Sequence, residues 1–225
     1  MSIGFRIFPS PKRADPKLLE RLRALPVSNV SDNMLRGHGA ALQPFHQSGR
    51  MVGTGFTVRT RPGDNLMVHK AIDMAAPGDV IVVDAGGALE NAIVGELMCG
   101  WAEKRGVAGI VIDGAIRDSD ALSEGDFPVY AAGVTHRGPW KDGPGEINVS
   151  ISVGGMVVHP GDLIAGDHDG IVAISPEDAE RVITATEAHN RKEQAALAAI
   201  AAGTWDRKWV DEALKARGCD LSRVS

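Results

Sequence analysis

The chain has 225 residues, 44% of them hydrophobic, and a formal net charge of -5. That is enough apolar material for one full core, and mild acidity without a clustered Lys/Arg run excludes a general affinity for nucleic acid. Two cysteines, Cys99 and Cys219, are too few for a disulfide framework; the start, Met1 to Pro9, carries Arg6 and lacks the long apolar core of a signal peptide, and no later stretch approaches a membrane span, so a cytoplasmic protein is expected.

In chain order, residues 15–25 space Leu18, Leu19, Leu22 and Leu25 at helical intervals behind Asp15-Pro16, which predicts a short amphipathic helix. Residues 27–34 carry Ser28, Asn29, Ser31 and Asp32, polar groups that suit a helix cap as well as a site. Residues 50–61 read as a strand, and Pro62-Gly63-Asp64-Asn65 breaks it before a helix over 66–75. Pro77-Gly78-Asp79 is a turn, 80–84 a buried strand, and Gly86-Gly87 a flexible break. A helix follows from about Gly95 to Arg105, with Leu97, Met98, Trp101 and Ala102 on its apolar face and Gly106 at its C-terminal cap. The next buried strand, 107–113, completes a strand–helix–strand order expected of a parallel crossover.

Residues 147–153 alternate apolar and polar like a strand with one solvated face, so a mixed sheet is expected. The stretch 77–87 is echoed at 160–170, which two similar strand entries explain better than a duplication. Ser175-Pro176-Glu177-Asp178 opens an Ala-rich helix to Ala202, Gly203 ends it, and 205–217 reads as a last helix closed by Gly218. The expected organisation is an α/β domain over 1–175 with an N-terminal helix, and a helical extension over 176–225 that belongs to the same unit and meets a neighbouring subunit.

The residues that carry chemistry gather around the strand 107–113. It runs into Gly114-Ala115-Ile116-Arg117-Asp118, at the strand end where open α/β sheets place ligands. A carboxylate there could hold a metal while the guanidinium binds a substrate carboxylate through a forked pair of hydrogen bonds. Taken alone, an Arg-Asp dipeptide is a cap or a pair of solvated charges. Context comes from Gly95-Glu96-Leu97-Met98, whose first helical amides lack intrahelical partners and can receive a carboxylate. One helix and one strand fill the interval from Glu96 to Arg117, which returns the chain to the same sheet edge. By itself, Glu96 is also a first-turn acid favoured by the helix dipole.

Three segments together, PGDVIVVDAGG, GELM and VIDGAIRD, resemble the family of 4-hydroxy-4-methyl-2-oxoglutarate aldolases, which also contains protein regulators of ribonuclease E activity. The resemblance covers about Val27 to Ser175. It implies a layered α/β/β/α sandwich with mixed sheets, a homotrimer or homohexamer, and a site between subunits. It further implies Mg²⁺ or Mn²⁺ bound directly by Asp118, Glu96 positioning waters, Arg117 binding substrate, and the backbone of Gly95, Glu96, Leu97 and Met98 forming a carboxylate cradle. Glu193, on the C-terminal helix of an adjacent subunit, is the candidate for a further acid. The aldolases usually have Asp where this chain has Glu96.

The implied activity is class II aldol cleavage of 4-hydroxy-4-methyl-2-oxoglutarate or 4-carboxy-4-hydroxy-2-oxoadipate to pyruvate, with oxaloacetate decarboxylation through the same enolate. The alternatives are a non-catalytic, protein-binding regulator and a lyase of the same fold acting on another hydroxyacid. The chemistry is consistent: magnesium prefers oxygen ligands and keeps waters, HExxH is absent, and a 2-oxoacid chelates such an ion. Other residues read as structural. His69 suits a hydrogen bond on a helix, Asp167, His168 and Asp169 a turn, and Trp205 and Trp209 packing or subunit contact; no G-x-G-x-x-G supports a dinucleotide.

Overall fold

From its N-terminus the chain runs through β1 (Phe5–Ile7), α1 (Pro16–Arg23), α2 (Val27–Asp32) and β2 (Gln43–Pro44) before it enters the main sheet. The structure is a computed structural model that describes residues 2–37, 39–47 and 49–221. Strands β3 (Met51–Thr60), β4 (Asp79–Val94), β5 (Gly109–Ile116) and β6 (Val129–Val134) lie side by side and parallel. They are joined in turn by α3 (Leu66–Met74), α4 (Glu96–Lys104) and α5 (Ser119–Glu124), the crossover helices that parallel pairing demands.

The outer edge of β3 is shared. Its first half pairs antiparallel with β10 (Leu163–Asp167) and its last residues with β7 (Gly145–Ile147). β10 continues into β11 (Gly170–Ile174), and β8 (Ile151–Val153) with β9 (Met156–Val158) forms a separate hairpin. β1 extends the sheet beside β7 and β2 beside β6, so the sheet is mixed.

Side chains alternate across each central strand, and both faces are covered. Phe56, Val58, Ile81, Val83, Ile110 and Ile112 face the apolar sides of α3, α4 and α5. Val80, Val82 and Val111 face the β8–β9 hairpin and Ile164 and Ile171 of β10 and β11. On the far side of β10 and β11, Leu163, Ala165 and Val172 pack with α1, α2 and the start of α6 (Ala179–Ala201). Helices, sheet, sheet and helices follow one another as an α/β/β/α sandwich.

The chain divides into two compact units, Met1–Thr186 and Glu187–Ser225. The second contains α7 (Lys208–Ala216), which buries no residue, and the Arg207 guanidinium lies 4.5 Å from the Trp205 ring centroid and 5.9 Å from that of Trp209. Among the described residues, no helix is long and apolar enough to cross a membrane.

Four local expectations are corrected. Gly86 and Gly87 do not end a strand: at φ 68° and 69° they bend β4, which runs on to Val94 through register shifts against β5. The stretch 147–153 is two strands, interrupted at Asn148, whose φ of 58° no strand can hold. The long helix begins at Ala179, because Ser175 and Asp178 cap a turn ahead of it. On α4 the buried side is Cys99 and Ala102, whereas Leu97 is 83% and Trp101 53% exposed. The echo at 77–87 and 160–170 is a shared turn, in which Asp79 accepts from the Ala76 amide and Asp162 from the His159 amide.

Candidate active site

β4 and β5 end together at the middle of the sheet, with Val94 opposite Ile116 and the Arg117 amide donating to the Val94 carbonyl at 3.0 Å. Past that bond the chains diverge into α4 and α5. Gly95–Met98 and Arg117–Asp118 therefore sit side by side at the carboxyl ends of parallel strands, the position where such sheets bind ligands.

Two backbone features bring the groups this close. Gly95 is in extended conformation, so its requirement is steric: an added Cβ would overlap Asp118 Oδ2 and come within 2.9 Å of Arg117 Cγ. Asp118 stands in the left-handed region, at φ 57° and ψ 36°, which costs most L-residues about 1–2 kcal/mol and which Asp tolerates better than most. This turn starts α5, while the carboxylate reaches back to α4. There Asp118 Oδ2 accepts from the Glu96 amide at 3.1 Å and lies 3.6 Å from Arg117 Nε. Both side chains are more than a third exposed, so the ion pair adds little to stability and is free to rearrange around a ligand.

The first turn of α4 offers fewer open amides than four. That of Glu96 is taken by Asp118, and that of Met98 donates to the Gly95 carbonyl at 3.1 Å. The Leu97 amide has no partner in that turn, and a bound carboxylate would compete with Asp118 for Glu96. Glu96 itself is exposed.

Beside this turn is a hollow of about 30 Å³, lined in part by Asn65, Leu97, Met98, Arg117 and Pro139. Asn65 is buried, and its amide nitrogen donates to the Ile93 carbonyl at 2.9 Å and approaches Met98 Sδ at 3.2 Å. Its Oδ1 is buried with no partner, an acceptor that invites a donor from a ligand. Sequence reading treats Asn65 only as part of a helix-starting break; the signal available there is an Asn directly behind Gly63-Asp64 at the end of β3.

Larger hollows lie elsewhere, one of about 440 Å³ beside Val27 and Ala40, but its arginine, Arg36, is paired with Asp32 at 2.8 Å. At the 30 Å³ hollow Arg117 and the first turn of α4 come together, with the Asp118 carboxylate beside Arg117. Cys99 is no nucleophile: burial first, then Asp118 and Glu103, push its thiol up to about 12. His69 is exposed on α3 and does not line the hollow. Asp167 accepts from the Val27 and Asp169 amides, as a turn residue does. Glu193 lies on α6 in the second unit, 3.6 Å from His189 Nε2. Among the described residues no three His, Cys, Asp or Glu side chains cluster to hold a metal.

Comparison with known proteins agrees with this architecture. The family model described as RraA-like, Aldolase/RraA, matches residues 27–173. A protein of Halalkalibacterium halodurans, provisionally named a 4-hydroxy-4-methyl-2-oxoglutarate aldolase, is 38% identical over 190 residues, 84% of this chain and 90% of its own. Among solved structures, an uncharacterized protein from Pseudomonas syringae pv. tomato aligns with TM-score 0.77 at 25% identity, over 86% of this chain and 96% of its own. The RNA-processing inhibitor RraA from Thermus thermophilis aligns with TM-score 0.61 at 30% identity, over 67% and 92%.

Proposed function

The chain belongs to the RraA-like (Aldolase/RraA) family, and from that premise we propose that it is a divalent-metal-dependent aldolase that releases pyruvate from a C4-hydroxylated 2-oxoacid. The substrates proposed are 4-hydroxy-4-methyl-2-oxoglutarate and 4-carboxy-4-hydroxy-2-oxoadipate, and oxaloacetate is decarboxylated through the same pyruvate enolate. The observation that carries the reading is the convergence of Arg117, Asp118 and the first turn of α4 at the ends of β4 and β5.

Each group has a task. Arg117 binds the oxygens of the 2-oxoacid and stabilises the negative charge that grows on the C2 oxygen as the C3–C4 bond breaks. The Leu97 amide, with that of Glu96 once Asp118 turns away, receives the substrate carboxylate. Glu96 accepts the proton leaving the C4 hydroxyl, directly or through a water. The unpartnered Asn65 Oδ1 is placed to accept from the same hydroxyl before it ionises.

The donor set fits a hard cation that keeps most of its water: Asp118 would hold Mg²⁺ or Mn²⁺ directly, with Glu96 reaching through water, and all donors are oxygens. Such an ion supplies Lewis-acid stabilisation to the 2-oxo group. We further propose a homotrimer or homohexamer, in which an adjacent subunit's Glu193 approaches this site.

The test is pyruvate release from the two hydroxyacids and from oxaloacetate, with Mg²⁺ or Mn²⁺ and with chelator. Metal-dependent release is the expected result; none from any of the three rejects the proposed activity. The likeness to the Thermus inhibitor favours a second reading, a protein-binding regulator. That reading gains if pyruvate is absent and the chain binds a ribonuclease E-type partner.

A further inference from the structure

One wall of the hollow beside Arg117 is Pro139, in the segment 138–144 of the β6–β7 connection, and one buried carboxylate holds that segment. Asp64 is fully buried. Its Oδ2 accepts from the Asp142 amide at 2.8 Å, the Gly143 amide at 2.9 Å and the Arg61 guanidinium at 3.1 Å. Its Oδ1 accepts from the Leu66 amide at 2.9 Å, in the first turn of α3. Two backbone bonds tie the same stretches together, from the Asn65 amide to the Trp140 carbonyl at 3.0 Å and from the Trp140 amide to the Gly63 carbonyl at 2.8 Å. Held this way, the segment presents Pro139 to the hollow, and a Cβ on Gly138 would stand 3.5 Å from Arg117 Nη1.

A carboxylate removed from water needs several donors to offset its desolvation, and this one has four. Capping α3 uses only one of its oxygens. The other is given over to Arg61 and to two amides some eighty residues away in sequence. We propose that Asp64 is a positioning residue: it clamps 138–144 so that Gly138 and Pro139 confine Arg117, and so that Asn65, its neighbour, keeps its place in the hollow. The proposal rests on the reading of Arg117 and the α4 turn as the substrate site.

The experiment compares Asp64→Asn with wild type by residue-resolved hydrogen exchange and by steady-state pyruvate release. An amide NH₂ in place of one oxygen meets N–H donors and loses their bonds. The Asp142 and Gly143 amides then exchange roughly tenfold faster or more, while those of Ile81 and Ile110 keep wild-type rates. KM rises roughly tenfold and kcat stays within about threefold, because Arg117, Asp118 and Glu96 are all retained. Unchanged exchange overturns the clamp, and faster exchange with wild-type KM overturns the positioning role. If the wild type releases no pyruvate, the functional reading falls, and the exchange arm alone decides the clamp. If Asp64→Asn does not fold, exchange in the wild type decides it: Asp142 and Gly143 amides as unprotected as an open loop refute it, and protected ones uphold it.

Discussion

Gly95→Ala asks whether the close approach of α4 to Arg117 and Asp118 matters for activity or only for packing. The new methyl would overlap Asp118 Oδ2 and lie 2.9 Å from Arg117 Cγ and 3.2 Å from its Nε. Ordinary carbon contacts need about 3.5 Å, so Arg117 must retreat by roughly 0.6 Å and Asp118 by more. Overpacking a rigid core costs about 1–3 kcal/mol, but both side chains are more than a third exposed and can yield, which puts the cost near the lower end. For a chain of this size that is a fall in Tm of about 2–4 °C. Displacing the two groups by close to 1 Å costs about 100-fold in kcat/KM. The assay is pyruvate release coupled to NADH oxidation, beside a thermal melt of the same preparation. A variant with wild-type kcat/KM would refute the reasoning, and so would one that melts more than about 10 °C lower, since the strain would then sit in the scaffold.

Asp118→Gly removes a left-handed backbone cost of about 1–2 kcal/mol, so it should melt no lower than Asp118→Ala, while both lose metal-dependent turnover. A lower melting point for the glycine variant, or turnover in either, contradicts the assignment. At pH 8 a thiol reagent should label exposed Cys219 in the folded protein and leave buried Cys99 untouched until denaturant is added; mass spectrometry of the labelled peptides reads this directly. Burial lowers the His46 imidazole below its ordinary value of 6.5, against the raising effect of the Val129 and Gly49 backbone. The unfolded chain then takes up this proton first, so its contribution is complete above pH 6.5 and is lost as the pH falls below it. Denaturant melts should show stability declining from pH 6.5 downward, and His46→Gln should flatten that slope; an unchanged slope would remove His46 as a cause.

Some of this protein can be read without coordinates. The apolar run 80–83, the helix cap at Gly106 and the alternation of strand and helix from 51 to 116 identify a parallel sheet, because a strand buried on both faces has few polar options. The same alternation locates the Arg117-Asp118 pair and the Gly95–Met98 turn at neighbouring strand ends. Periodicity alone misjudges α4: Leu97 and Trp101 share the spacing of a buried face, yet both stand exposed, Leu97 at the hollow, since spacing records which residues are apolar and not what covers them. It also misses the continuation of β4 through two glycines, where bulges let the strand bend without ending.

By itself, then, the sequence determined the crossover pattern, the likeness to a family and the dipeptide on which the proposed site centres, all properties of neighbouring residues and their periods. Only the tertiary structure decided that Asp118 turns left-handed toward the Glu96 amide, that Gly95 admits no side chain, that Asn65 keeps a buried oxygen without a partner, and that Asp64 holds residues 142 and 143. Each of these depends on a contact across twenty to eighty positions of chain, where the choice of partner is set by how the layers pack and leaves no mark on local spacing.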